Sequence, residues 1–509
     1  MADHGKDTAR IGKNTLALFF RLLVVTLVGL YTSRVILKVL GQDDFGIYNI
    51  VGTIVVFLMF LKQALTNASY RFFTYELGVG NAVRLRETFA MSINVHLILA
   101  GILFIVMEAA GPLVISGLNI PSGRMAAAQV VFQISLVSFC LEIVKTPFNS
   151  CIIAHERMNF YALTSIVEVV LKLLLVLLLS VITVDKLILY ALLMLGSAVV
   201  MFIWYVIYCR IYFPETKYLS RFWDKSLFKG MLSYSGWSLL VNAADIVVQQ
   251  MRNIFMNIFG GVRANAAIGV ANQVNGKLSG VLSSFTQAFN PQIIKSYAQG
   301  DRAYFMRLLY STSKLSFFLL FSFAFPVMMN VDFILDFWLV EVPDNSGIFL
   351  NLILCYSLVD SFSSPLFMAV HATGNLKVHQ ILMASIKVIN IPLSWILLKA
   401  GLPLWSVLAA WAGLNVVCDI VRIIYMKTLI GLEIGAYVKD VFGGMALVLL
   451  ASVPVPVLFH HYCGEGWWQL AAFMGIFFAL YVPAVFFLGL NAKERGYALD
   501  IIKSKLPKR

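Results

Sequence analysis

Charged residues are scarce in this chain. Only 13% of its 509 residues are Asp, Glu, Lys or Arg, and just 26 are acidic. Cysteine is scarcer still. Cys140, Cys151, Cys209, Cys355, Cys418 and Cys463 form no C-x-x-C pair, so neither a disulfide frame nor a cysteine metal knuckle is expected. No G-x-x-x-x-G-K-[ST] run occurs, which argues against a chain that hydrolyses ATP alone. His155-Glu156 opens like H-E-x-x-H, but Asn159 stands where the second histidine belongs. No metal, cofactor or catalytic group is therefore expected, and no enzyme activity. Polar stretches long enough to fold as a domain are also missing. The longest interruptions of the apolar sequence are residues 111–129 and 209–232.

What the chain has instead is oil. Hydrophobic residues make up 60% of it, with a mean hydropathy of +0.84. A helix needs about 20 apolar residues to cross a bilayer. Fourteen stretches meet that length: Leu16–Leu40, Ile47–Ser69, Phe89–Ala110, Val130–Ile153, Tyr161–Ile182, Leu187–Tyr208, Ser233–Phe259, Ala264–Phe289, Leu308–Met329, Ile348–Val370, Val378–Leu398, Leu404–Met426, Val441–Phe459 and Leu470–Leu488. Their continuous apolarity excludes the alternating segments of a β-barrel. Helices satisfy their own backbone groups in hydrocarbon, so the fold class is an all-α bundle of fourteen transmembrane helices. The short polar tail before the first span, and that span's length, differ from a cleavable signal peptide.

Basic residues orient the bundle. With the N-terminus inside, inner segments hold 24 of the 39 lysines and arginines, and outer loops hold only Arg124, Lys186, Arg263 and Lys399. This is a strong positive-inside asymmetry, and an even number of crossings puts both termini in the cytoplasm. Topology and anionic lipid headgroups account for the net charge of +13 without any nucleic-acid partner.

The chain repeats. Arg34 and Gly41 correspond to Arg252 and Gly260, Gly80-Asn81 to Gly300-Asp301, and Pro147 to Pro365, all at offsets of 218 to 220 residues. Spans 1–6 and 7–12 then form two six-helix lobes of like orientation, related by an axis along the membrane normal. The boundaries that follow are an N-terminal lobe over 1–213, a basic cytoplasmic linker over 214–232, a C-terminal lobe over 233–430, and spans 13 and 14 with a basic tail over 431–509.

Three quoted runs carry a resemblance. Ala264-Asn265-Ala266-Ala267-Ile268-Gly269-Val270-Ala271-Asn272-Gln273, Gln287-Ala288-Phe289-Asn290-Pro291 and Tyr297-Ala298-Gln299-Gly300-Asp301 look like the eighth helix and its exit in the MATE/MOP exporter superfamily. Arg34 to Gly41, followed by Phe45-Gly46-Ile47-Tyr48, resembles the first hairpin of its polysaccharide-transporter branch. The count of fourteen is similar to Wzx-type oligosaccharide flippases and MurJ-type lipid II flippases, whereas MATE drug exporters usually have twelve. The resemblance implies two lobes around a cavity in a bacterial cytoplasmic membrane. It also implies alternating access and a cargo of undecaprenyl-pyrophosphate-linked oligosaccharide. Partner enzymes would be a polysaccharide polymerase and glycosyltransferases.

Charges inside the spans are the candidate site, because an ion at mid-bilayer costs a few kcal/mol or more and needs a cavity or a partner. Glu168 with Lys172, Glu142 with Lys145 and Asp419 with Arg422 stand at helical-neighbour spacing and read as structural pairs. Lys38 and Glu108 read as side chains that snorkel to a boundary. The cargo candidates are Arg21 and Lys62 in the first lobe, and Asn242, Gln249, Arg252, Gln273 and Lys277 in the second. Cations and amides together suit a pyrophosphate and sugar hydroxyls. The alternative for the same groups is a buried polar network that holds the lobes together. Asp245 and Asp360, each mid-span, are the candidates for an ion-coupling carboxylate. Two other functions stay open: a MATE-like cation-coupled exporter, and a membrane-embedded polymerase or ligase. Spans 13 and 14, uncharged and outside the repeat, are expected to wall a groove for the lipid tail, with Pro454, Pro456 and Pro483 bending them.

Overall fold

A computed structural model describes residues 4–56, 59–116, 120–180, 182, 184–217, 222–339, 342–464, 466–492 and 494–496. No strand occurs among the described residues. The helices are α1 (His4–Val56), α2 (Met59–Val79), α3 (Ala82–Ser116), α4 (Met125–Ala154), α5 (Met158–Leu179) and α6 (Lys186–Tyr212), then α7 (Lys225–Ala298), α8 (Arg302–Met329), α9 (Val331–Trp338), α10 (Ser346–Thr373), α11 (Lys377–Val388) and α12 (Asn390–Lys399), and finally α13 (Trp405–Ile430), α14 (Ile434–Tyr437), α15 (Gly443–Ser452), α16 (Pro454–Cys463) and α17 (Trp467–Ala484). Eleven helical stretches among the described residues are long and apolar enough to cross a membrane. Of the other expected spans, the first survives as the shorter apolar stretch Ala17–Gly29, and the second runs through residues 57–58, outside the described set. The eighth, Ala264–Phe289, is helical throughout but is not among the eleven.

Two expected hairpins are not loops. Helix α1 continues on both sides of Gly41 (φ 80°, ψ 174°), and α7 on both sides of Gly261 (φ 68°, ψ −167°). One residue in this region of backbone space redirects a helix without a loop, and a residue with a side chain would be strained there even though space is open around it. The glycine that does so in α7 is Gly261, one residue beyond the expected Gly260; Gly260 is instead helical, against Leu404 and Ala264. Arg263 is accordingly helical rather than in a loop.

Span 11 is broken at Ile389 into α11 and α12, because Pro392 has no N–H for the turn before it. Helices α15 and α16 meet at Val453, with Pro454 at the first position of the second helix. Pro483 lies inside α17, which passes into a π-helical turn, Val485–Gly489. The segment after α8 carries the eight-residue helix α9, whose Phe333 and Phe337 set ring edges against Trp467 at centroid distances of 5.3 and 4.6 Å.

The described residues divide into two compact units, Leu16–Leu239 and Leu240–Arg509, the second including the N-terminal residues up to Thr15. In the first unit α4 is central and packs against α2, α3, α5 and α6. Phe132, Leu136, Leu179 and Leu187 belong to one buried apolar cluster, and Phe73, Phe89, Phe148 and Tyr205 to a second. In the second unit α10 lies between α8 and α13, and α13 carries α11 and α12 on its other side. Helices α15 and α17 pack on α8. Tyr481 donates to the Phe318 carbonyl at 2.6 Å, and Phe321, Phe325, Phe473 and Phe477 interleave beside it. Elsewhere large apolar side chains face outward, among them Ile105, Leu174, Trp204 and Leu450. A water-soluble surface would not carry so many, whereas lipid chains satisfy them.

Candidate functional site

In the first unit three intramembrane charges meet at α4. Glu142 accepts from Lys62 of α2 at 3.2 Å and also bonds Lys145 one turn along its own helix. One acid thus faces two bases, which leaves one net positive charge. Lys62, expected to be a free cargo contact, is paired. Arg21 of α1 lies over the Tyr161 ring of α5 at 4.6 Å, and its Nε is enclosed without a hydrogen-bond partner. The pair Lys172–Glu168 closes at 2.6 Å.

The second unit holds a denser arrangement. Arg252, on the first limb of α7, is only 3% exposed. Its guanidinium sits 4.2 Å over the Trp411 ring of α13. Trp411 in turn stacks on Tyr356 of α10, with centroids 3.5 Å apart and planes within 9°. Neither Nε nor Nη1 of Arg252 has a hydrogen-bond partner. Two turns earlier on α7, Asp245 receives Lys387 of α11 on both carboxylate oxygens, at 2.7 and 2.9 Å. A small pocket lies between these groups, lined by Tyr356, Lys387, Asn390, Trp411, Leu414 and Asn415. The Nδ2 of Asn390 is buried and unpartnered.

The remaining candidates are more dispersed. Asn242 is half-buried, and Gln249 is exposed although it shares the broad face of α7 with Arg252. On the second limb of α7, Gln273 and Lys277 are exposed, while Asn275 accepts the Ser357 hydroxyl at 2.7 Å. Asp360 is half-buried on α10, one turn beyond Tyr356, and no ion pair reaches it among the described residues. The Asp419–Arg422 pair is present at 2.8 Å and is extended by Ser363 and His379 into a buried network. Arg34 has no described side chain.

Tyr356, Trp411 and Lys387 were not expected in this site. Aromatic residues within an apolar span carry no signal of their own in sequence. The partner of Lys387 is 142 residues away in the chain, so no sequence spacing links the two.

No protein-family model and no curated protein match the chain. Solved structures do. A MATE transporter in its bent conformation superposes with a TM-score of 0.74 at 14% identity, covering 86% of this chain and 99% of that one. The chain has the MATE/MOP transporter fold. The outward-facing conformation of a multidrug resistance MATE transporter of the MOP superfamily matches at 0.70 and 14% identity, over 86% and 99% of the two chains. A MOP superfamily transporter from Pyrococcus furiosus, described as having a binding pocket of reverse polarity, matches at 0.69 and 14%, over 85% and 99%. The Arg252 cluster and the Lys62–Glu142–Lys145 group each lie within a single compact unit.

Proposed function

We propose that this protein is a flippase for a polyprenyl-pyrophosphate-linked oligosaccharide, a repeat unit of an O-antigen, capsule or related polysaccharide, which it moves across a bacterial cytoplasmic membrane by alternating access. The observation that carries the reading is Arg252, a buried guanidinium with two unpaired nitrogens above an aromatic stack. Burying an unpaired ion costs several kcal/mol, and a structural role would have supplied an acid. A pyrophosphate satisfies such a group bidentately, and the flat faces of Trp411 and Tyr356 suit a sugar ring.

The architecture proposed with it has fourteen crossings, both termini cytoplasmic, and two lobes that are copies of one unit. Support comes from paired backbone features. Gly41 and Gly261 share one conformation, and so do Gly80 (φ 78°) and Gly300 (φ 72°). After the latter pair, Asn81 N–H reaches back to the Glu76 carbonyl and Asp301 N–H to that of Ser296, each at 3.2 Å. In the same register Glu142 and Asp360 correspond, at the 218-residue offset of Pro147 and Pro365. The protein performs no bond chemistry in this reading; a polymerase and glycosyltransferases act before and after it.

A cation-coupled small-molecule exporter is the second reading. The fold favours it equally, and the Asp245–Lys387 pair would be its exchange site. One experiment separates the two. Reconstituted vesicles are loaded with a fluorescent lipid-linked oligosaccharide, and its appearance in the opposite leaflet is followed. Flipping that falls at least tenfold in R252Q supports the flippase. Equal flipping by wild type, R252Q and empty vesicles, alongside gradient-driven efflux of an organic cation, overturns it.

A further inference from the structure

Away from the charged interior, three side chains of different chemistry meet where α4 and α6 end. Cys151 and His155 stand four residues apart on one face at the end of α4. Glu215 belongs to the short 3₁₀ turn Pro214–Thr216 that follows α6. His155 Nε2 is hydrogen-bonded to Glu215 Oε1, and Cys151 Sγ lies 3.8 Å from the same oxygen. One ligand atom from each of the three falls within 4.8 Å of the other two. Cys151 and Glu215 are buried, and His155 is partly open, with its ring stacked on Phe213 at 4.2 Å.

A His–Glu ion pair alone needs no thiol, and a filler cysteine gains nothing from a buried carboxylate. Sulfur, imidazole nitrogen and carboxylate oxygen together are the donor set of a borderline divalent cation. We propose that Cys151, His155 and Glu215 bind one cation of the zinc class, with a fourth position left for water, and so fasten the end of α4 to the turn after α6.

The distances suit this. Tetrahedral zinc with bonds of about 2.0–2.3 Å places its ligand atoms roughly 3.3–3.8 Å apart. The sulfur–oxygen separation already fits. The histidine–glutamate contact must open by about an ångström to that tetrahedral edge, which the partly exposed His155 ring can do. Charge balances as well. Binding displaces the thiol proton to solvent and requires His155 Nε2 without a proton, and thiolate, neutral imidazole and carboxylate then bring two negative charges to a doubly positive ion. Cys209 is nearby but its Sγ points to the Phe148 carbonyl at 3.6 Å, so it is the natural control.

The test uses the full chain in lipid nanodiscs under a non-chelating reductant. Cobalt(II) is titrated first and zinc chloride second. The expected result is one cobalt per chain with a sulfur-to-cobalt charge-transfer band, displaced by zinc, and a higher unfolding midpoint with zinc bound. C151S should lose the band, E215Q should weaken affinity at least tenfold, and C209S should match wild type. A wild-type chain that gives no saturable band overturns the proposal whatever the variants do. So does a band that survives in C151S or disappears in C209S. If C151S fails to fold, E215Q decides the matter, and unchanged affinity there refutes the site.

Discussion

Lys387 holds both carboxylate oxygens of Asp245, at 2.7 and 2.9 Å, across two helices of the second unit. The carboxylate is about half exposed (48%) and the ammonium less so (20%), so the pair is not sealed inside the unit. Exposed pairs contribute at most about 1 kcal/mol to stability. D245N should therefore unfold close to the wild-type midpoint. If the pair couples transport, D245N should abolish the dependence on an imposed proton or sodium gradient in vesicles. Unchanged gradient dependence removes Asp245 from that role and leaves Asp360 as the candidate.

Arg252 separates function from stability. Replacing a buried, unpaired cation with an apolar side chain of similar length relieves desolvation. R252M should unfold at or above the wild-type temperature while transport falls at least tenfold. R252K should also be impaired, since lysine offers a point charge in place of a planar fork. A marked loss of stability in R252M would mean that the guanidinium is a structural group.

The two lysines on Glu142 predict an order of effects. K62M leaves a neutral Glu142–Lys145 pair, whereas E142Q leaves two cations facing each other with no acid. E142Q should therefore destabilise by about 2 kcal/mol or more, and K62M by clearly less. Thermal unfolding of the two variants at equal detergent concentration checks the order. Equal losses would contradict it.

Helices α15 and α17 lie against α8, where Tyr481 bonds the Phe318 carbonyl and phenylalanines interleave, and α16 packs on both of them. A photoreactive polyprenyl chain should label α15, α16 or α17 if they wall a groove for the lipid tail. Label confined to α1–α13 would leave these helices with a packing role alone. Y481F should lower stability by about 1 kcal/mol, the typical contribution of one buried hydrogen bond.

A charged cluster at the start of α6 sets a pH limit. Arg124 bonds Asp44 and, at 2.5 Å, Asp185, which caps α6. Burial pushes the Asp185 carboxyl up, but the Ile188 amide and the Arg124 guanidinium outweigh it and hold it below the ordinary aspartate value. A lowered carboxyl contributes stability above its unfolded pKa, near 4, and that contribution is lost as pH falls through the lowered value. Unfolding midpoints should be flat from pH 8 to about 5 and then decline, less steeply in D185N. Identical profiles would show that this carboxyl is not linked to folding.

Much of this protein was legible from hydropathy alone. The bilayer demands length and oil, and both are properties of contiguous residues, so the all-helical class and most crossings follow from runs such as Phe89–Ala110 or Leu470–Leu488. Ion pairs within one helix were legible for the same reason, because Glu168 and Lys172 are neighbours by helical geometry itself. The contacts that shape the candidate site are of another kind. Lys387 reaches Asp245, Lys62 reaches Glu142, and Trp411 slides between Arg252 and Tyr356 only because particular helices lie side by side. The same holds for Glu215, which comes from another segment to join a Cys151–His155 spacing visible in sequence. Periodicity states which face of a helix a residue occupies, but the helix facing it is chosen by the packing of all the others, and that choice belongs to the tertiary structure.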